Sequence, residues 1–169
     1  NQKPKQVDSQ QEAVQENVAY YRHIQFTETS WDLEKGTHAL TAKEAKTVNN
    51  YKFTYNESKQ LVSVEYNRNG VLLGYSSLGA AKITYTYEGD KQLKSFFNDK
   101  GEASKNGGAS TYEYTLNDAG MRVAMRFVDD KGESTENRNN VYNYVWKKLP
   151  DGMIQELRYN LAGEEVVMN

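Results

Sequence analysis

Residues 51–169 alternate between short stretches rich in aromatic and β-branched residues and short polar stretches. Several apolar stretches contain a Tyr-x-Tyr motif, as at Tyr85-Thr86-Tyr87 and Tyr112-Glu113-Tyr114. Side chains alternate between the two faces of a strand, so both rings of such a motif point to the same face. The polar stretches contain Asn, Asp and Gly, which favour turns. The pattern therefore predicts a series of β-hairpins that share one aromatic face.

Four glycines in this region recur at a constant interval of 31 residues, namely Gly70, Gly101, Gly132 and Gly163. Each ends a polar turn and follows an aromatic residue, these being Tyr66, Phe97, Phe127 and Tyr159. A fixed period of this length indicates a repeated supersecondary unit. Glycine adopts a positive φ at little cost, which suits a type I turn closed by a β-bulge, with a type I′ turn as the alternative at Asn69-Gly70.

The repeats predict an all-β fold with an N-terminal helix, in a single domain. Four hairpin repeats of about 31 residues would form an antiparallel meander over residues 51–169. We expect the sheet to be strongly twisted and curled toward an open barrel. A two-layer sandwich is the alternative, because an open sheet of this length curls or splits.

The first fifty residues differ from the repeats. Residues 1–8 are polar and are expected to form a disordered tether, and residues 9–50 are expected to form a helix and cap region. Ser9-Gln10-Gln11-Glu12 matches a capping box, and apolar residues follow at helical spacing at Val14, Val18 and Tyr21. These features predict a helix over 10–23 that covers one end of the sheet.

Two further elements are expected before the first repeat. Residues 26–31 are compatible with a strand, and Thr41-Ala42-Lys43-Glu44 with the start of a short second helix, although a loop or strand is an alternative there. Neither segment changes the fold class.

Composition excludes several classes of function. The chain contains no cysteine, so disulfides, thiol nucleophiles and cysteine zinc sites are excluded. The net charge is −2 with no basic block, so we expect no nucleic-acid partner. No apolar run is long enough to span a membrane. The polar N-terminus without an initiating methionine favours a secreted, periplasmic or cell-surface protein, and we expect a monomer or weak dimer without a cofactor.

Catalytic and metal-binding motifs are absent from the sequence. His23 and His38 are the two histidines, and neither belongs to a metal-binding motif. There is no Gly-x-Ser-x-Gly and no phosphate-binding loop. The turn acids Glu102, Glu133 and Glu164 recur along the repeats and would suit a paired-carboxylate glycosidase only if two of them faced one cleft. We expect no catalytic residue and no metal site.

One repeat resembles a known family. Thr111-Tyr112-Glu113-Tyr114, followed by Asn117-Asp118-Ala119-Gly120-Met121, resembles the tyrosine-aspartate (YD, or Rhs-type) repeats of bacterial surface and secreted proteins. The other copies depart from that motif, with Asn56 in the first and Glu88 in the second. The resemblance implies a β-sheet that wraps around its contents, although four units cannot enclose a large cargo. The sequence also resembles small secreted Bacteroidetes proteins of unknown function.

The aromatic face suggests a binding function. If it is covered, the rings form a core; if part of it is open, they provide a platform for a sugar or a peptide. The rings that we expect to be partly accessible, and therefore ligand-binding, are Trp31, Tyr75, Tyr144 and Trp146. We therefore expect a non-catalytic binding or scaffold module that contacts a glycan or an envelope protein. The alternatives are a β-augmentation subunit and a glycan-active hydrolase.

Overall fold

The computed structural model describes residues 17–25 and 33–167. The described residues form twelve β-strands and one short 3₁₀ turn, Glu44–Lys46. The strands are β1 (Val18–Ile24), β2 (Gly36–Leu40), β3 (Asn50–Tyr55), β4 (Leu61–Arg68), β5 (Val71–Leu72), β6 (Lys82–Glu88), β7 (Lys91–Phe97), β8 (Ala103–Ser104), β9 (Thr111–Leu116), β10 (Arg122–Val128), β11 (Asn143–Lys148) and β12 (Ile154–Tyr159).

All twelve described strands belong to one antiparallel sheet with the order β12-β11-β10-β9-β7-β6-β4-β3-β1-β2. The short strands β5 and β8 pair with β4 and β7 beside this path. Strand β2 lies outside β1, so the chain crosses back over β1 before it enters β3. The end strands β2 and β12 do not pair with each other, and the sheet is therefore open. The predicted all-β antiparallel meander is confirmed.

Alternation along the strands gives the sheet one apolar face, which we call the inner face. Cross-strand pairs on it include Phe53 opposite Val64 and Ile83 opposite Phe96. Its buried members across the sheet are Tyr51, Phe53, Val64, Ile83, Tyr85, Phe96, Tyr114, Met125, Phe127 and Trp146. The opposite face carries polar pairs such as Glu65–Lys82, at 3.5 Å. The apolar and polar faces therefore follow the period-two pattern of the sequence.

An aromatic cluster joins the two halves of the core. The Tyr112 ring packs edge-on against Phe96 and Phe127, with centroid distances of 4.9 and 5.0 Å. Phe127 in turn meets Tyr144 at 5.9 Å. Offset and edge-on ring contacts of this kind stabilise a core beyond the area they bury. The Tyr-x-Tyr rings therefore serve largely as core.

Most hairpins share a five-residue turn. In each, the fourth residue has a positive φ and donates its N–H to the carbonyl of the first, and the first donates to the carbonyl of the fifth. These turns span residues 56–60, 98–102, 117–121, 129–133, 137–141, 149–153 and 160–164. Three of the four periodic glycines occupy the fourth position. Gly70 instead follows Asn69 in a tight turn in which both residues have positive φ, as in the type I′ alternative.

The predicted helix over 10–23 is wrong where it overlaps the described residues. Val18–Ile24 is strand β1, with Tyr21 opposite Tyr51 of β3 and opposite Ala39 of β2. The edge of β3 offers backbone hydrogen bonds to this segment, which is rich in aromatic and β-branched residues. These bonds stabilise a strand more than the weak helical periodicity stabilises a helix. Residues 1–16 and the strand expected over 26–31 lie outside the described residues.

The short helix expected after Thr41 is a single 3₁₀ turn. The Thr41 N–H donates to the Glu44 carboxylate and the Glu44 N–H donates to the Thr41 hydroxyl, both at 3.1 Å. This reciprocal pair is the geometry of a capping box.

The turn geometry makes a testable prediction at Gly132. Its φ is +79°, and a Cβ added there would meet no atom within 4 Å. A Gly132→Ala substitution should therefore lower the free energy of unfolding through backbone strain alone, by roughly 1–2 kcal/mol in urea denaturation. Gly74 has equally open surroundings and lies outside the left-handed region, so Gly74→Ala should be neutral or slightly stabilising. Equal losses in the two variants would contradict this account.

Candidate functional site

The inner face of the sheet carries charged residues near its centre, where three strands contribute donors to a single carboxylate. Tyr85 on β6 donates its hydroxyl to Oε2 of Glu34 at 2.5 Å, and Lys94 Nζ on β7 donates to Oε1 at 2.5 Å. Arg122 Nη2 on β10 donates to Oε2 at 3.3 Å. We call Glu34, Tyr85, Lys94 and Arg122 the Glu34 cluster.

The strands position these donors by their register. Tyr85 lies opposite Lys94 across β6 and β7, so both side chains share the inner face. A register shift between Arg122 and Ala124 inserts one extra residue in β10. This bulge turns Arg122 to the same face as Met125, which simple alternation would not do. Glu34 belongs to none of these strands and lies just before β2, so its carboxylate reaches the sheet from outside the repeats.

A second set of contacts fixes the guanidinium of Arg122. Its Cζ lies 3.6 Å from the centre of the Tyr114 ring, a cation–π contact. Its Nε donates to Oε1 of Gln92 at 2.9 Å. Nε2 of Gln92 donates to the Tyr87 hydroxyl at 3.0 Å, and that hydroxyl donates to the carbonyl of Leu61 at 2.7 Å. The arginine is therefore held in one orientation by its neighbours.

Burial makes the charges of the cluster interdependent. The Arg122 side chain is 0% exposed and that of Glu34 only 13%. Burial alone would raise the pKa of the Glu34 carboxyl, but Lys94 and Arg122 outweigh it and hold the pKa at about 2. Burial lowers the pKa of Lys94, and Glu34 opposes that change. Burial, and then the Glu34 charge, raise the pKa of the Tyr85 hydroxyl, which therefore remains a donor.

A cavity of about 340 Å³ lies beside the cluster. Its walls are formed by the rings of Tyr55 and Tyr87 and the side chains of Leu61 and Leu116. Glu34 of the cluster also lines it, as does Gln92, the partner of Arg122. A larger cavity of about 490 Å³ lies at β1 and β2, with Lys52 as the charged side chain in its lining. Because convergent polar groups distinguish binding sites from surface grooves, we place the candidate site at the smaller cavity.

The structure separates the four rings proposed from the sequence as ligand-binding residues. Trp146 is only 6% exposed. Its ring stacks on Tyr144 at a centroid distance of 6.0 Å, and its Nε1 donates to Glu156 at 2.8 Å. The expectation that Trp146 is accessible is therefore wrong, because β12 supplies a partner for the indole N–H. Tyr144 is half-buried. Tyr75 is 83% exposed, in the loop after β5, and Trp31 lies outside the described residues.

The other chemical candidates from the sequence remain separate from this site. The His23 and His38 rings meet edge-on at 5.3 Å across β1 and β2. Within residues 17–25 and 33–167, no group of three His, Asp or Glu side chains is placed to hold a metal ion. The turn acids Glu102, Glu133 and Glu164 each occupy the fifth position of a separate turn. Their backbone N–H groups donate to the side chain of the first residue of the same turn, namely Asn98, Asp129 and Asn160.

Sequence reasoning missed Glu34, Lys94 and Arg122. One signal was available: Gln92, Lys94 and Phe96 alternate in one strand, which places two polar residues at positions that should face the core. No comparable signal marks Glu34.

Comparison of the chain with protein-family models, with curated proteins and with solved structures gave no match. In the described part of the chain, no helix has the length and apolar character needed to cross a bilayer. A functional assignment must therefore come from the geometry of the cluster and the adjacent cavity.

The charge cluster predicts a specific pH dependence of stability. The pKa of Glu34 is lowered from 4.5 to about 2, so its stabilising contribution is complete above about pH 4.5 and is lost as the pH falls toward about 2. Replacing Glu34 by Gln should therefore lower the free energy of unfolding at about pH 7 by about 3 kcal/mol. The difference between wild type and the variant should shrink on acidification through that window, in urea denaturation series.

Glu65→Gln provides the matched control, because Glu65 pairs with Lys82 on the outer face at 3.5 Å, where both side chains are partly exposed. That change should cost no more than about 0.5–1 kcal/mol. A Glu34→Gln effect as small as this one, or one that is independent of pH, would contradict the assigned role of Glu34.

Proposed function

We propose that the protein is a non-catalytic binding module of the bacterial envelope or secreted space, and that it contacts a glycan in the cavity beside the Glu34 cluster. The observation that carries this proposal is the combination of tyrosine walls with fixed polar groups around one cavity of about 340 Å³. This volume lies at the lower end of the roughly 300–1,000 Å³ typical of small-molecule sites. A cavity of that size favours one or a few sugar units over a protein surface.

The lining suits a sugar because sugars present both apolar C–H faces and hydroxyl groups. Tyr55 and Tyr87 offer ring surface for the former, while Gln60, Gln92 and Lys59 offer donors and acceptors for the latter. Gln92 already donates to the Tyr87 hydroxyl, which in turn donates to the carbonyl of Leu61. Side chains fixed before binding lose less conformational entropy when a ligand arrives.

The electrostatics favour binding over hydrolysis. A glycosidase needs a carboxylic acid whose pKa is raised, so that it can protonate the leaving group. The carboxyl at this cavity, Glu34, has its pKa held at about 2 by Lys94 and Arg122. It therefore remains ionised and engaged with its partners at neutral pH, which argues against the hydrolase alternative.

The sheet edges argue against the β-augmentation alternative. In β2, His38 has a φ of +59°, which kinks the strand and spoils a flat edge. In β12, Glu156 and Arg158 point to the inner face and pair with each other at 2.6 Å. Kinks and inward-pointing charges are recognised devices that protect edges from further strand pairing.

A glycan array followed by calorimetric titration of each hit tests the proposed function. If the Tyr55 ring stacks on the ligand, Tyr55→Leu should weaken binding about five- to tenfold, while Tyr55→Phe, which retains the ring, should preserve it. Tyr75→Leu is the control, because Tyr75 is exposed and outside the cavity. A blank array, or equal effects of the Tyr55→Leu and Tyr75→Leu variants on binding, would refute the proposal.

A further inference from the structure

The Glu34 cluster has two sources in the chain. Within the described part of the chain, the repeat sheet supplies the donors Tyr85, Lys94 and Arg122, and a segment outside the repeats supplies the carboxylate. The sheet alone thus presents two cations and a hydroxyl that converge on one point. Such a convergence of donors is the arrangement by which proteins bind carboxylates.

Two of the three donors, Arg122 and Lys94, have contacts besides the one with Glu34. Gln92 and the Tyr114 ring hold the guanidinium of Arg122, at 2.9 and 3.6 Å. Lys94 Nζ lies over the rings of Phe96 and Tyr112, at 5.5 and 5.7 Å from their centres. A site whose donors are oriented by other contacts can accept a different carboxylate with little rearrangement.

The same carboxylate is reachable from the cavity. Glu34 lines it together with Gln92, so a ligand seated between Tyr55 and Tyr87 comes into contact with Glu34 itself. Leu33, the neighbour of Glu34, is already 40% exposed. A ligand in the cavity can therefore compete with Glu34 for the donors once that side chain turns away.

We propose that Tyr85, Lys94 and Arg122 form a carboxylate-binding site that the chain fills with its own Glu34, and that the external ligand is an acidic glycan whose uronate takes the place of Glu34. This inference rests on the proposed glycan-binding function and names its ligand class. A sugar is favoured over an acidic peptide because the cavity is small and walled by tyrosine rings.

Competition between the internal and the external carboxylate sets the expected affinities. A tethered group acts at an effective concentration on the order of millimolar. An external uronate therefore binds the wild-type chain weakly and binds more tightly once the internal competitor is removed. The same reasoning predicts that removal of the Glu34 carboxylate leaves the affinity for a neutral sugar unchanged.

Calorimetric titration with glucuronic acid and galacturonic acid tests this inference, with glucose as the neutral probe. Glu34→Gln removes the competing charge and retains the size of the side chain. We expect it to bind one of the two uronates at least about tenfold more tightly than wild type does, with no gain for glucose. Glu65→Gln, which removes a carboxylate from the outer face, should bind as wild type does.

A second measurement uses the wild-type chain and does not depend on the folding of a variant. Carbon NMR of the Glu34 carboxyl should show its pKa rise from about 2 toward its ordinary value as the uronate saturates the protein. If the pKa of the Glu34 carboxyl is unchanged when the protein is saturated with uronate, the ligand does not displace Glu34 and the inference is overturned.

The outcomes separate this inference from the proposed function. Binding of neutral glycans that depends on Tyr55 but shows no preference for uronates would leave the proposed function intact and overturn the inference. Absence of all saccharide binding would overturn both. Tighter binding of a blocked Leu-Glu-Lys peptide than of either uronate would overturn the assignment to an acidic glycan.

Discussion

The carboxylate of Glu34 allows two positively charged side chains to be buried at the centre of the inner face. Lys94 and Arg122 project from different strands into the same interior region, where like charges repel strongly because water is scarce. Glu34 lies between them and accepts from both, together with Tyr85. Strands β6, β7 and β10 are thus linked by one side chain from outside the repeats. The N-terminal part of the chain and the repeat sheet therefore depend on each other.

The turns explain how the sheet keeps one aromatic face over so many strands. A five-residue turn with a positive φ at its fourth position adds the local twist that adjacent antiparallel strands require. In six of the seven described turns, the first residue is Asn or Asp and its side chain accepts backbone N–H groups; examples are Asn98 and Asp129. The turn is therefore stabilised by its own sequence. Register, and with it the inward direction of each aromatic ring, follows from the turn.

These local rules also show how far the sequence could predict the structure. The hairpins, the periodic glycines and the aromatic face could be predicted because each depends on residues that are close in sequence. The prediction of a helix over 10–23 was wrong because the strand that pairs with this segment, β3, is distant in sequence. Arg122 was missed because a bulge reverses its direction, and a bulge changes the period by a single residue. Glu34 was missed because nothing in residues 33–35 indicates the site to which the side chain reaches.

The Glu34 cluster is also the feature of the core that packing alone does not require. Replacing a buried ion cluster by apolar side chains of similar volume is often neutral or stabilising, because desolvation offsets the attraction between the charges. Apolar residues at the positions of Lys94 and Arg122 would extend the aromatic face already formed by Phe96, Tyr114 and Phe127. Their shared partner Glu34 instead lies where the interior meets a cavity with tyrosine walls. A cluster that apolar side chains could replace as a whole without loss of stability, and that adjoins a cavity, is consistent with the proposed role in ligand recognition.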